Sequence, residues 1–132
     1  MTQAEKSKQF FLNYWAALSG KAKTHELIAQ FVADPRLIEH ILFFEKLFPK
    51  YEAIVDEVIA EGNRVFVRSH IKGSHEGAID GIPATHQKIN VPFALGYHIE
   101  NEKIVDFWAI ANEMELFEQL GLARENVEVA KK

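Results

Sequence analysis

Apolar positions in the first part of the chain recur at helical spacing. Over residues 4–18 they fall at Phe10, Phe11, Tyr14, Trp15 and Leu18, and Gly20 stands where such a helix would end. Thr24 is an N-cap residue for a second, short helix carrying Leu27, Ile28, Phe31 and Val32 on one side. Asp34 and Pro35 supply an N-cap and a first-turn proline for a third helix. It runs through Leu37, Ile38, Ile41, Leu42, Phe44 and Leu47 to Phe48, where Pro49 closes it. His40 is spaced three and four residues from Leu37 and Phe44, which puts it on that helix's apolar face, pointing inward.

After Pro49 the period changes from helical to alternating, which predicts a β region over residues 51–111. Glu61-Gly62-Asn63 forms a hairpin turn between YEAIVDEVIA and RVFVRSHIK. Glu100-Asn101-Glu102 forms another between INVPFALGYHI and KIVDFWAIA, so neighbouring strands are antiparallel. A short helix over residues 113–120 stops at Gly121, and RENVEVAKK follows as a tail or a small edge strand. Helices leading into an antiparallel sheet define the α+β class. The 132 residues make a single domain, 1–132, able to bury roughly two thirds of its unfolded surface.

Strand parity carries the inference further, because residues two apart share a sheet face. Val91, Phe93, Leu95, Tyr97 and Ile99 share one side of their strand, and Pro92, Ala94, Gly96 and His98 share the other. In the next strand Val105, Phe107, Ala109 and Ala111 group together, opposite Ile104, Asp106, Trp108, Ile110 and Asn112. Both faces are too apolar for water, and three short helices cover only one. The other is therefore expected to meet a second copy in a two-fold homodimer. A strongly bent sheet cannot lie flush against straight helices, so a pocket is expected beneath them. Parity brings His98 and Asn112 into that pocket, among Gly96, Ile104, Trp108 and Ile110.

Composition narrows the possible chemistry. The net charge of -4 is mild and the Lys and Arg residues are scattered, without the basic stripe that nucleic-acid binding requires. No apolar run reaches the ~18 residues of a membrane span, and the opening MTQAEKSKQF lacks signal-peptide organisation. With no cysteine there is no disulfide or thiolate metal site, and a cytoplasmic location is expected. The six histidines form no H-x-H, H-x-x-H or H-x-x-x-H pair, so no metal is expected. Neither G-x-G-x-x-G nor the P-loop pattern occurs, and no nucleotide cofactor is expected.

Several motifs in fixed order carry a family resemblance. They are G-x-H-x-G at 73–77, G-I-P-x-T at 81–85, K-I-V at 103–105, Trp108, and Q-L-G at 119–121, with VADPRLIEHI upstream. Together they resemble the SnoaL-like polyketide cyclase family of the nuclear transport factor 2-like superfamily. The resemblance implies an α+β cone in which three N-terminal helices pack on a strongly curved antiparallel sheet, followed by a short C-terminal helix. It also implies a deep pocket and dimerisation through the outer sheet face. Cyclases of this family close rings by intramolecular aldol chemistry, a carboxylate removing the proton and a histidine assisting. The family's Asp, four residues after the tryptophan, corresponds here to Asn112, which cannot hold a proton but can orient a carbonyl or enol oxygen. His98, in the preceding strand, becomes the candidate acid or base. His40, Phe44, His75 and Trp108 are the candidate substrate-binding residues. Asp106 shares the tryptophan's parity but lies nearer the turn.

Structural alternatives stand beside these roles. The segment KGSHEGAIDGIPATHQK is either a pocket rim or a plain connection whose His75 and His86 are solvated. His40 is either a core histidine or a site residue, and Trp108 either a pocket wall or a core plug. Two functions follow. One is an enzyme acting on a small, largely apolar carbonyl compound. The other is a non-catalytic small-molecule-binding protein of the same fold that has lost the carboxylate.

Overall fold

A computed structural model describes residues 1–121, so the RENVEVAKK segment lies outside the described residues. Three helices, α1 (Gln3–Leu18), α2 (His25–Ala29) and α3 (Pro35–Leu47), precede four strands, β1 (Glu52–Glu61), β2 (Arg64–Ser74), β3 (Lys88–Glu100) and β4 (Lys103–Ala111). Helix α4 (Glu113–Gln119) follows. The strands form one antiparallel sheet in sequence order, β1-β2-β3-β4. This is the expected α+β cone.

Local chemistry explains the boundaries. Thr2 caps α1 in a capping box, its hydroxyl accepting from the Glu5 amide at 3.1 Å while the Glu5 carboxylate accepts from the Thr2 amide at 3.2 Å. Asp34 caps α3 by accepting from the Arg36 amide at 3.0 Å, with Pro35 in the first turn. Helix α2 is shorter than its apolar pattern predicts. Phe31 and Val32 leave it because the backbone there pairs with β4: the Ile104 amide donates to the Phe31 carbonyl, and the Ala33 amide to the Ile104 carbonyl, both at 2.8 Å. Between β3 and β4 the loop is Asn101-Glu102, both at positive φ (51° and 57°), the backbone of a type I′ turn.

The G-x-H-x-G segment docks the end of α3 onto the sheet. The amides of Glu76 and Gly77 donate to the Leu47 carbonyl at 2.9 and 3.2 Å. A Cβ at Gly77 would lie 2.3 Å from the Lys46 carbonyl oxygen, so only glycine permits this approach. A buried lysine fastens the same end of α3. Lys23 donates to the carbonyls of Lys21 and Tyr51 at 2.9 Å each and to Glu45 at 3.3 Å.

The face assignment made from parity is corrected here. The helices cover the face of Val91, Phe93, Leu95, Tyr97 and Ile99, all buried. Pro92, Ala94, Gly96 and His98 look outward, away from the helices, because the odd-numbered set offers far more apolar volume to bury. In β4 the parity itself breaks. Ile104 pairs with buried Ile99, yet Asp106 pairs with His98, so the register shifts at Val105. This bulge puts Ile104 inside and Trp108 and Ile110 outside, although all three have even numbers. Among the described residues no helix is long and apolar enough to cross a membrane.

Replacing Gly77 with Ala is expected to destabilise the fold by about 1–3 kcal/mol, since the added methyl meets backbone rather than a movable side chain. Urea unfolding checks this, and an unchanged midpoint would contradict the docking role of the segment.

Candidate functional site

Between α1, α3 and the inner face of the sheet lies a mostly apolar cavity of about 50 Å³. Polar groups at its wall come from Tyr14, Trp15, Ser19, Lys23, His40, Tyr51 and Tyr97. Its volume is about a third of the ~150 Å³ that admits benzene, so it holds a few water molecules, and a ring-sized ligand requires the wall to yield. Phe44 is one of the aromatic side chains of its wall, with ring centroids 5.4 to 5.7 Å from those of Phe48, Tyr51 and Phe93.

Of the described cavity-lining residues, His40 is the one imidazole. Its ring lies 5.7 Å from the Phe44 ring and 5.9 Å from Phe107, half-buried in aromatic surroundings. Burial lowers its pKa below the ordinary value, because an apolar setting disfavours the imidazolium. The site therefore holds a neutral imidazole with a lone pair. Lys23 also reaches the cavity wall, yet an ammonium has three protons and all three already have acceptors, two carbonyls and Glu45. It is a fastening. Burial lowers its pKa, and Glu45 opposes that shift. Tyr14, Tyr51 and Tyr97 are all pushed above the ordinary phenol value, chiefly by burial, and so stay protonated near neutrality.

The sequence-derived candidates separate. His40 and Phe44 line the cavity. His98 does not: it lies on the outer face, its Nε2 2.9 Å from the Asn63 amide nitrogen and 3.3 Å from a Glu100 oxygen. Trp108 lies on that face too, 46% exposed, with its indole across the backbone of Gly96, where a Cβ would be 2.1 Å from Nε1. Asn112 caps α4, its side-chain oxygen accepting from the Glu115 amide at 3.0 Å. The expected convergence of His98 and Asn112 beneath the helices is therefore corrected.

His75 is neither solvated nor a cavity wall. It is 0% exposed and packs 5.6 Å from Phe48. Its Nδ1 accepts from the Thr85 amide at 3.1 Å, which puts the proton on Nε2, and Nε2 has no partner. His86 is exposed, as the solvated alternative has it, and its Nδ1 lies 2.6 Å from Glu76. Among the described residues no group of three or more His, Asp or Glu is arranged to hold a metal. The sequence pattern places Tyr14, Trp15 and Tyr97 on apolar faces and gives Tyr51 no face, and it assigns none of the four to a site. The available signal was their polar tips, which must find partners when buried.

The family profile "SnoaL-like polyketide cyclase" matches residues 36–120, well over half of the chain. The chain belongs to the SnoaL-like polyketide cyclase family. Solved structures carry the fold across nearly all of it. AclR from Streptomyces galilaeus superposes with a TM-score of 0.76 at 19% identity, over 97% of this chain and 91% of that one. A SnoaL-like polyketide cyclase from Agrobacterium tumefaciens gives 0.71 at 14% identity, over 92% and 99%. A phenazine biosynthesis-related protein from Pseudomonas aeruginosa gives 0.69 at 17%, over 91% and 88%. No functionally curated protein matches at the sequence level.

His40 also makes stability depend on pH. Its folded pKa lies below the unfolded ~6.5, so the unfolded chain binds the proton more readily. Stability from this residue is complete above pH ~6.5 and is lost as pH falls through that value toward the folded pKa. In an NMR titration His40 is expected to titrate below ~6.5, and His40→Gln should flatten the acid limb of the stability profile. A normal or raised value would overturn the buried placement.

Proposed function

We propose that this SnoaL-like protein binds a small, largely apolar carbonyl compound in the cavity under α1 and α3 and catalyses proton transfer there, of the aldol-cyclisation or isomerisation type. His40 takes the role first assigned to His98. The supporting observation is a half-buried imidazole, kept neutral by its aromatic surroundings, at the wall of the cavity. In the cyclisation its lone pair removes a proton from a carbon flanked by carbonyls. The enolate carbon then bonds to a second carbonyl carbon of the same molecule, and the new alkoxide takes the proton back from the imidazolium. Phe44 gives way as the substrate enters.

One observation favours a second function, binding without turnover. No carboxylate lines the cavity among the described residues, and the family resemblance sets Asn112 where a cyclase would have its Asp.

A short linear 1,3,5,7-tetraketone, in which C2 between two carbonyls can close a six-membered ring on the C7 carbonyl, separates the two. Ring closure accelerated by the protein and lost in His40→Gln supports the enzyme. Saturable binding without acceleration supports the binding protein, and acceleration that survives His40→Gln sinks the assignment of the base.

The outer sheet face is proposed as the contact for a second copy. Ile59, Phe66, Trp108 and Ile110 are all exposed there, Ile110 at 66%, and paired register brings them into neighbouring rows flanked by Arg64, Arg68, Glu57 and Asp106. Sedimentation should show a dimer that Ile110→Glu converts to monomer. A monomeric parent protein would refute the contact.

A further inference from the structure

The inner end of the cavity holds three aromatic residues with polar tips. Tyr14 and Trp15 come from α1 and Tyr97 from β3, and all three line the cavity while nearly closed to bulk water, Tyr97 being 3% exposed. The Trp15 indole Nε1–H donates to the Tyr97 hydroxyl oxygen at 3.3 Å. The Tyr14 ring meets the Tyr97 ring edge-on, centroids 6.0 Å apart at 86°, and its hydroxyl adjoins that of Tyr97.

A phenol oxygen that accepts from an indole N–H is polarised, and its own proton becomes the better donor. No protein acceptor takes the Tyr97 proton among the hydrogen bonds of the described residues. Apart from Leu, Ile and Phe, its neighbour is the Tyr14 hydroxyl, and a pair of hydroxyls that already accepts from Trp15 can absorb only one of its own two protons, which leaves the other without a protein acceptor. A buried donor without an acceptor is costly unless a ligand or water supplies one.

We propose that Tyr97, backed by Trp15, is the point at which the cavity recognises one oxygen of its ligand, and that it stabilises that oxygen when it carries negative charge as an enolate or phenolate. This rests on the ligand-binding function proposed above and adds to it the second half of the chemistry. His40 removes a proton from carbon, and the Tyr97 hydroxyl donates to the oxygen on which charge develops. Burial keeps the phenol protonated near neutral pH, so the donor is present throughout the working range. The ligand class is a planar compound with one ionisable or enolisable oxygen and an otherwise apolar surface.

The test uses 4-nitrophenol, whose phenolate absorbs separately from the phenol. With the full chain the bound probe should carry a higher phenolate fraction than it does with Tyr97→Phe. The change expected is on the order of ten-fold in the phenolate-to-phenol ratio, the effect of one hydrogen bond to a charged acceptor. Trp15→Phe should fall between the two. Phe44→Ala widens the cavity and serves as a second host for the probe. If the probe binds but its ionisation is the same with and without the Tyr97 hydroxyl, the oxygen-recognition role is overturned while ligand binding stands. If neither the parent protein nor Phe44→Ala takes up the probe, the binding function fails, and this proposal with it. A measurement on the unaltered protein runs in parallel: the Trp15 indole N–H resonance should shift on probe addition, and a fixed resonance at saturation would also overturn the role.

Discussion

Burial of one face of β3 is the interaction on which the rest of the molecule depends. Val91, Phe93, Leu95 and Ile99 each gain roughly 1.5–3 kcal/mol on leaving water, and they stand in line at every second residue of the longest strand. The opposite face presents Pro92, Ala94, Gly96 and His98, which have much less to gain. That inequality decides where the helices lie, and so which side of the sheet becomes an interior. Tyr97 joins the buried row, carries its hydroxyl into the space under α1 and meets Trp15 there.

The helices are then held at several points, which gives the cavity its shape. Ser7 ties α1 to the first hairpin through the Gly62 carbonyl at 2.8 Å. At one end of α3, Arg36 lies 2.8 Å from Asp34 and 2.7 Å from Asp106 on β4. Asp34 is buried, but Arg36 and Asp106 are largely exposed, so the Arg36–Asp106 contact sets position more than it adds stability. At the other end the Leu47 carbonyl accepts from the G-x-H-x-G loop, and Glu45 is paired with buried Lys23. His40 sits midway between these fastenings. An imidazole on a helix pinned at both ends keeps its orientation in the cavity, which proton transfer requires.

Much of the fold was legible in the amino-acid order. Helix caps at Thr24 and Asp34, the Pro35 and Pro49 boundaries and the two hairpin turns are local, and their chemistry acts within a few residues. So did the inward face of α3, because His40, Leu37 and Phe44 share a periodicity that only helix geometry needs. The motifs that carry the family resemblance were equally visible. One of them also gained a physical explanation, since Gly77 is where the backbone touches a carbonyl of α3.

What the order of residues could not settle is which face of the sheet turns inward. Both faces of β3 and β4 are apolar, and the choice depends on summed volumes across strands that are far apart in sequence. A single bulged residue at Val105 then reverses the alternation in β4, and nothing local marks it, because Ile104-Val105-Asp106 suits a regular strand as well as an irregular one. His98 and Trp108 lie outside because their shared face lost that competition of volumes, the bulge moved Ile104 from their row to the inside, and Tyr97 and Trp15 became polar groups of the cavity. The sequence by itself determined the elements, their caps and their pairing, because those forces act over short range. Only the tertiary structure decided which side chains share an interior, because that is set by the competition between two faces for one layer of helices.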